Sequence, residues 1–177
     1  MPACIDYIDH LVDLMTHNYP ELNAKDHLLN LKLTIQHYIF TTPLGELYQS
    51  VLRLKNRSAS QSFHRKCSAL SWSDVYEGMG VREKFRDPIH AGHYVMRDGE
   101  GAEAYAIDEI RRVPIQLTPF LKLSAISQAC NLLSADHTTE SSQIGSEDLL
   151  LLLASSIVRA IPSDVYAEFE FISELVP

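Results

Sequence analysis

Residues 146–161 read SEDLLLLLASSIVRAI, and this stretch decides the fold class. Apolar side chains would surround almost the whole of a helix with this sequence, and Arg159 and the serines are its polar interruptions. A helix that is apolar on all sides is typical of the centre of a globular core. Glu147 and Asp148 fall in the first turn, where carboxylates interact favourably with the helix dipole. We therefore predict a long, buried helix near the C-terminal end of the chain.

Helical periodicity continues on both sides of this stretch. Residues 162–164 (Pro-Ser-Asp) end the helix and begin another, and no run alternates apolar and polar residues over the length of a strand. Apolar residues three and four positions apart predict further buried faces. These faces are Ile5, Ile8, Val12 and Met15; Leu28, Leu31, Ile35 and Tyr38; Leu44, Leu47, Val51 and Leu54; Ala106, Ile110 and Val113; Leu123, Ile126, Cys130 and Leu133; and Val165, Phe169, Ile172 and Val176. The pattern predicts an all-α fold, a layered bundle of about seven helices.

Two segments interrupt the periodicity. Residues 56–71 are polar and predict a solvated surface loop, although the nearby basic residues Lys55, Arg57, Arg65 and Lys66 leave a phosphate or lipid contact open. A short helix is expected around residues 73–78. Residues 80–100 show no period and predict a long loop or lid. These boundaries suggest one helical domain over 1–177, with N-terminal helices in 1–55, a loop-rich connector in 56–101 and a C-terminal core in 102–177.

Composition excludes several classes of function. The 177 residues suit one domain, and 15 basic against 23 acidic residues give a net charge of −8, which disfavours nucleic acid and polybasic membrane binding. The longest apolar run, residues 149–154, is far too short to insert through a bilayer. His90 and His93 form an H-x-x-H pair without an acidic or cysteine partner, so we predict no metal. We also predict no cofactor, because no phosphate-binding glycine motif occurs. We expect a cytoplasmic location.

Four short motifs follow one another in the C-terminal part of the chain. They are Pro119-x-x-Lys122-Leu123-x-x-Ile126, Gly145-Ser146-Glu147-Asp148-Leu149-Leu150, Arg159-Ala160-Ile161-Pro162 and Phe169-Glu170-Phe171-Ile172. In their order and approximate spacing they resemble the catalytic core of the Vps-nine (vacuolar protein sorting nine) guanine-nucleotide exchange domain. The resemblance extends from about Ala104 to Pro177.

This resemblance implies exchange activity on a Rab-five-type small GTPase of the endosomal pathway. In that family an acidic residue at the start of the long helix competes with the nucleotide phosphate and Mg²⁺ for the P-loop lysine of the GTPase. The family's acidic positions fall on Glu147 and Asp148, which become the catalytic candidates. The neighbouring helices would supply an apolar groove for the GTPase. The residues that the resemblance assigns to this groove are Leu151, Val165, Phe169 and Ile172.

The sequence also departs from the family. Glu147 stands where the family has aspartate, Leu151 stands where it has proline, and the sequence up to Pro177 lacks the family's later Gly-x-x-Gly-Tyr-like segment. The alternative hypothesis is therefore a non-catalytic helical binding module. Its partner would be a GTPase, or another domain or subunit of a larger trafficking protein. A third is a helical interaction domain unrelated to Rab proteins. Any endosomal association would come from partners. Lys122 is interpreted as a structural or surface charge.

Overall fold

A computed structural model describes residues 2–86, 102–135 and 144–175. These residues form eight α-helices and no strand, which confirms the predicted all-α fold. The helices are α1 (Pro2–Asn18), α2 (Lys25–Phe40), α3 (Pro43–Ser68), α4 (Trp72–Met79), α5 (Ala102–Arg112), α6 (Pro119–Ala135), α7 (Ser146–Ala160) and α8 (Val165–Leu175). Short 3₁₀ turns lie at Pro20–Asn23, Glu83–Phe85 and Val113–Ile115. None of the helices in this part of the chain is long and apolar enough to cross a membrane.

Helix α7 is the central helix of one half of the bundle, as predicted. It packs against α4, α5 and α6, and Leu152 is almost completely buried. The polar interruptions of α7 are nevertheless among its most buried residues: Ser155, Ser156 and Arg159 all point inward, whereas Leu150 is exposed. The buried cluster around α7 consists of Tyr76, Val81, Phe85, Ala106, Ile107, Ile110, Ala129, Leu133, Leu152 and Ala160.

The other half of the bundle is built by α1, α2, α3 and α8. Phe40 and Phe171 meet edge to face, with their ring centroids 5.1 Å apart, and Ile8 and Leu52 complete the buried cluster with Ala167. Aromatic pairs of this geometry stabilise a core beyond the area that they bury.

The turn between α2 and α3 depends on a glycine. A Cβ at Gly45 would lie 2.5 Å from backbone atoms of Phe40. Only a residue without a side chain therefore fits the close approach of the two helices at this point.

The surface loop predicted over residues 56–71 is wrong for residues 56–68, which belong to α3. This part of α3 buries small or polar side chains, Ser60 and Cys67, beside the partly buried Phe63. Asn56 donates hydrogen bonds to the Leu52 carbonyl (3.0 Å) and to Glu170 Oε2 (2.5 Å). The polar composition concealed the helix because its buried face carries few large apolar residues.

The predicted buried face of α3 is also wrong. Leu44, Leu47, Val51 and Leu54 are 67, 60, 54 and 70% exposed, and we call these four residues the α3 stripe. The helix is instead rotated so that its polar residues reach the main chain before α6. Gln49 donates to the Leu117 carbonyl (3.0 Å) and Arg53 donates to the Pro114 carbonyl (3.1 Å). Periodicity placed the apolar stripe correctly on one face but could not tell which face the protein buries.

The remaining predicted faces have mixed outcomes. In α6 the predicted face is wrong by one position at its start, since Leu123 is 38% exposed while Lys122 is completely buried. In α2 the predicted Leu28 and Tyr38 are exposed, and in α8 the predicted Phe169 is 46% exposed. Residues that the structure confirms as buried are Ile8, Val12, Ala106, Ile110, Val113, Leu133, Val165 and Ile172. The short helix expected around residues 73–78 is α4. His90, His93 and Val176 lie outside the described residues.

Candidate functional site

The acidic pair lies at the N-terminal end of α7, but its two members have different surroundings. Asp148 is buried and accepts two hydrogen bonds from the Arg82 guanidinium, one of them from Nε to Oδ1 at 2.6 Å. Glu147 is exposed to solvent. Arg82 follows α4 in the chain, so the ion pair fastens the turn after α4 to the first turn of α7. Of the two catalytic candidates, Asp148 is engaged within the protein and Glu147 is accessible.

The electrostatics of Asp148 follow from this contact. The hydrogen bonds from Arg82 hold the pKa of Asp148 below its usual range, and the charge of Lys84 and a backbone hydrogen bond with Gly145 act in the same direction. The reciprocal contact raises the pKa of Arg82. Asp148 is also the third residue of α7, where a carboxylate stabilises the positive end of the helix dipole. Its environment therefore satisfies the carboxylate structurally.

Three of the four predicted GTPase-binding residues line a single apolar crevice. Val165, Phe169 and Ile172 form its α8 wall, and Val165 and Ile172 are buried while Phe169 is 46% exposed. The cavity at its base has a volume of about 30 Å³. The rest of the crevice is lined by Ile110, Val113, Pro114, Ile126, Leu153, Ile157, Pro162 and Glu168. We call this feature the α8 crevice. It is an apolar hollow with one aromatic side chain at its solvent-exposed edge.

The fourth predicted residue lies elsewhere. Leu151 is half-buried and packs against the cluster around Leu152 rather than into the α8 crevice. The acidic pair does not line the crevice: the nearest lining residue on α7, Leu153, is five residues from Asp148, about 7.5 Å along the axis of the helix. The structure thus brings together Val165, Phe169 and Ile172 but does not bring Asp148 or Leu151 to them.

A buried ion-pair network supports the α8 crevice from beneath. Lys122, fully inaccessible to solvent, lies with its Nζ 2.5 Å from Glu168 Oε2 and donates to the Val113 carbonyl at 2.9 Å. Arg53 donates to the other oxygen of Glu168 at 3.3 Å. Burial lowers the pKa of Lys122, and the Glu168 carboxylate opposes this effect. The network joins α3, α6 and α8 and fixes one wall of the crevice.

Of the two interpretations of Lys122, a structural or a surface charge, the structure supports the first, because its buried side chain is paired with Glu168. The available signal was its position. Lys122, Ala125, Ala129 and Leu133 follow the three- and four-residue spacing of a helix face, and all four are buried.

A second buried polar cluster lies between α4, α5 and α7. Arg159 donates to the Tyr76 hydroxyl at 2.7 Å and forms an ion pair with Glu103. The Tyr76 hydroxyl in turn donates to Glu103, and Ser155 lies 3.5 Å from the same carboxylate. The charges in this cluster are paired and hydrogen-bonded, as buried charges must be. The cluster stabilises the packing of α7 against α4 and α5.

Within residues 2–86, 102–135 and 144–175, no group of three or more His, Cys, Asp or Glu side chains is placed to hold a metal ion. Comparisons with protein-family models, with curated proteins and with solved structures return no match to this chain.

Proposed function

We propose that this chain is a helical protein-binding module whose α8 crevice holds a small GTPase of the Rab family. The observation that carries the proposal is Phe169, an aromatic side chain half-exposed at the edge of an apolar hollow. Aromatic residues, Phe among them, are enriched at protein–protein interfaces relative to the rest of the protein surface. The resemblance of residues 104–177 to the Vps-nine domain supplies the class of partner.

Binding without exchange is favoured by the state of Asp148. An acidic residue that displaces phosphate and Mg²⁺ must offer a free carboxylate to the P-loop lysine of the GTPase. Asp148 is buried and already pairs with a guanidinium in a two-pronged contact, a strong form of ion pair. Breaking this contact to reach a partner would leave Arg82 without its carboxylate. Location at endosomes, as part of this proposal, would come from the GTPase.

Exchange catalysis is the second candidate, and the exposure of Glu147 favours it. This carboxylate lies in the first turn of α7, where it reaches solvent from the same helix end that the resemblance assigns to the acidic finger. In such a mechanism Glu147 would offer the P-loop lysine an anionic partner and repel the departing phosphate.

The binding proposal is tested with the full chain and a panel of purified Rab GTPases, each nucleotide-free, GDP-bound or bound to a non-hydrolysable GTP analogue. Affinities are measured for the wild type and for Phe169→Glu. Phe120→Glu is the matched control, because Phe120 is 48% exposed and does not line the crevice. The proposal predicts binding of at least one Rab that weakens by about tenfold or more in Phe169→Glu alone. Equal affinities for the two variants would contradict it.

The exchange candidate is tested by release of a fluorescent GDP analogue from the same GTPases. Accelerated release that is lost in Glu147→Ala and kept in Glu46→Ala would establish it. Glu46 is a matched control because it is also an exposed acid in the first turn of a helix, α3. Binding without acceleration would leave the module as a non-catalytic binder.

A further inference from the structure

Outside the α8 crevice, the described residues include an exposed apolar line on α3, the α3 stripe of Leu44, Leu47, Val51 and Leu54. Its residues recur at spacings of three, four and three, so they form a continuous apolar line on one side of α3. All four are more than half exposed, and none of them lines the α8 crevice. An apolar line with this spacing is the face by which one helix packs lengthwise against another.

The charges beside the stripe are basic. At the same spacing, the next positions along α3 are the polar residues Ser58 and Gln61 and then the exposed Arg65. On the half of α3 that carries the stripe, the charged residues are Lys55, Arg65 and Lys66, and none is acidic. Lys55 forms an ion pair with Glu170 of α8, whereas Arg65 and Lys66 lie at the C-terminal end of α3. This positive end stands out in a chain whose net charge is −8.

We propose that the α3 stripe docks an amphipathic helix of a different protein, one that carries apolar residues at the same spacing and carboxylates at its N-terminal end. Acidic residues stabilise the N-terminus of a helix, and opposite charge draws that end toward Arg65 and Lys66. The docked helix would therefore run antiparallel to α3. The stripe is about 15 Å long and about 10 Å wide, an area of roughly 150 Å² that is much smaller than the roughly 800 Å² per partner of a standard interface. It therefore fits one helix better than a globular face.

Other occupants fit the charges and the sequence less well. A second copy of the chain would bring only one carboxylate, Glu46 in the first turn of its own α3, and this residue lies outside the half of the helix that carries the stripe. Residues 87–101 and 136–143 contain no set of four apolar residues at the spacing of the stripe. An anionic membrane would attract Arg65 and Lys66 but would be repelled by the net charge of the protein.

The test uses the full chain and two fluorescein-labelled synthetic helices of about 25 residues, long enough to form about seven turns. Both carry Leu and Val at the stripe spacing. The first has four Glu residues in its N-terminal turns and the second has four Lys residues there. Fluorescence anisotropy is expected to show the Glu helix binding at least about tenfold more tightly than the Lys helix, a difference that shrinks in high salt.

Three variants assign the binding to the stripe. Leu47→Glu abolishes it, and Leu54→Gln, a milder change at a 70% exposed position, weakens it while circular dichroism confirms a native fold. Arg65→Glu places a carboxylate beside Lys66 and cancels the positive charge of this end, so most of the preference for the Glu helix is lost. Arg57→Glu, a change on the same helix away from the line of the stripe, is the control and keeps the preference for the Glu helix.

Four outcomes would overturn the proposal. They are no binding of either helix, equal binding of both helices, dimers of the wild type that Leu47→Glu dissociates, and binding to vesicles of phosphatidylcholine and phosphatidylserine that Leu47→Glu removes. The third would assign the stripe to a second copy and the fourth to a membrane. None depends on the α8 crevice, so the proposed function and this inference can fail separately.

Discussion

Arg82 and Asp148 form a two-pronged ion pair that joins the turn after α4 to the first turn of α7. The pair decides how the acidic motif of α7 is interpreted. A carboxylate held in this way supports the fold, so the adjacent and exposed Glu147 is the member of the motif that can meet a partner. The sequence alone predicted both acids as catalytic candidates and could not show that Asp148 is paired, because Arg82 is 66 positions away in the chain.

The first prediction concerns pH. Because Arg82 lowers the pKa of Asp148 in the folded protein, this group stabilises the fold above the unfolded value of about 3.9, and the stabilisation is lost as the pH falls through the folded value. The free energy of unfolding of Asp148→Asn, measured by urea denaturation, should vary less between about pH 2.5 and 5 than that of the wild type. Asp108→Asn, which removes an exposed carboxylate of α5 away from Arg82, is the control for the loss of one acidic side chain. An unchanged slope in Asp148→Asn would refute this role.

The second prediction concerns the buried network beneath the α8 crevice. Lys122→Met leaves the buried Glu168 carboxylate with only Arg53 as a cationic partner, and breaking a buried pair in this way costs about 3–5 kcal/mol of stability. Adding Glu168→Gln removes the stranded charge and should recover part of the loss. The free energy of unfolding of both variants, measured by urea denaturation at neutral pH, checks this. A single variant as stable as the wild type, or a double variant no more stable than the single one, would count against it.

The third prediction is a pair of glycine substitutions with opposite signs. Gly45→Ala forces a Cβ to within 2.5 Å of the Phe40 backbone and should destabilise the protein by more than about 1 kcal/mol. Gly78→Ala, inside α4 with open space around it, should stabilise the protein by about 0.5–1 kcal/mol. Thermal unfolding of the two variants gives the signs directly. A Gly45→Ala variant as stable as the wild type would mean that the turn between α2 and α3 is not as tight as described, and a destabilised Gly78→Ala would contradict the open surroundings of Gly78.

The fold class followed from the sequence because helical spacing is local information. The direction in which each helix faces did not follow, because it depends on partners distant in the chain. In α3 the side chains of Gln49 and Arg53 bind the main chain at Leu117 and Pro114, and this turns the apolar stripe outward. The spacing of residues along α3 carries no information about that contact.

The candidate site could be predicted only in part, because spacing groups residues on one helix but not residues on different helices. Val165, Phe169 and Ile172 share one face of α8, so their spacing was enough to group them, and the crevice confirms that they lie together. Leu151 was grouped with them by the resemblance alone and lies apart. Lys122 and Arg159 are charges buried among partners on other helices, Glu168 and Glu103, and only the folded structure reveals such pairs.

The most direct test of the central claim, that the α8 crevice binds a small GTPase, compares Phe169→Glu with Phe120→Glu against a Rab panel by isothermal titration calorimetry. The account predicts that the wild type and Phe120→Glu bind the same Rab with equal affinity, while Phe169→Glu binds it about tenfold or more weakly. The absence of binding to every Rab by a correctly folded wild type, or equal affinities for all three proteins, would contradict it.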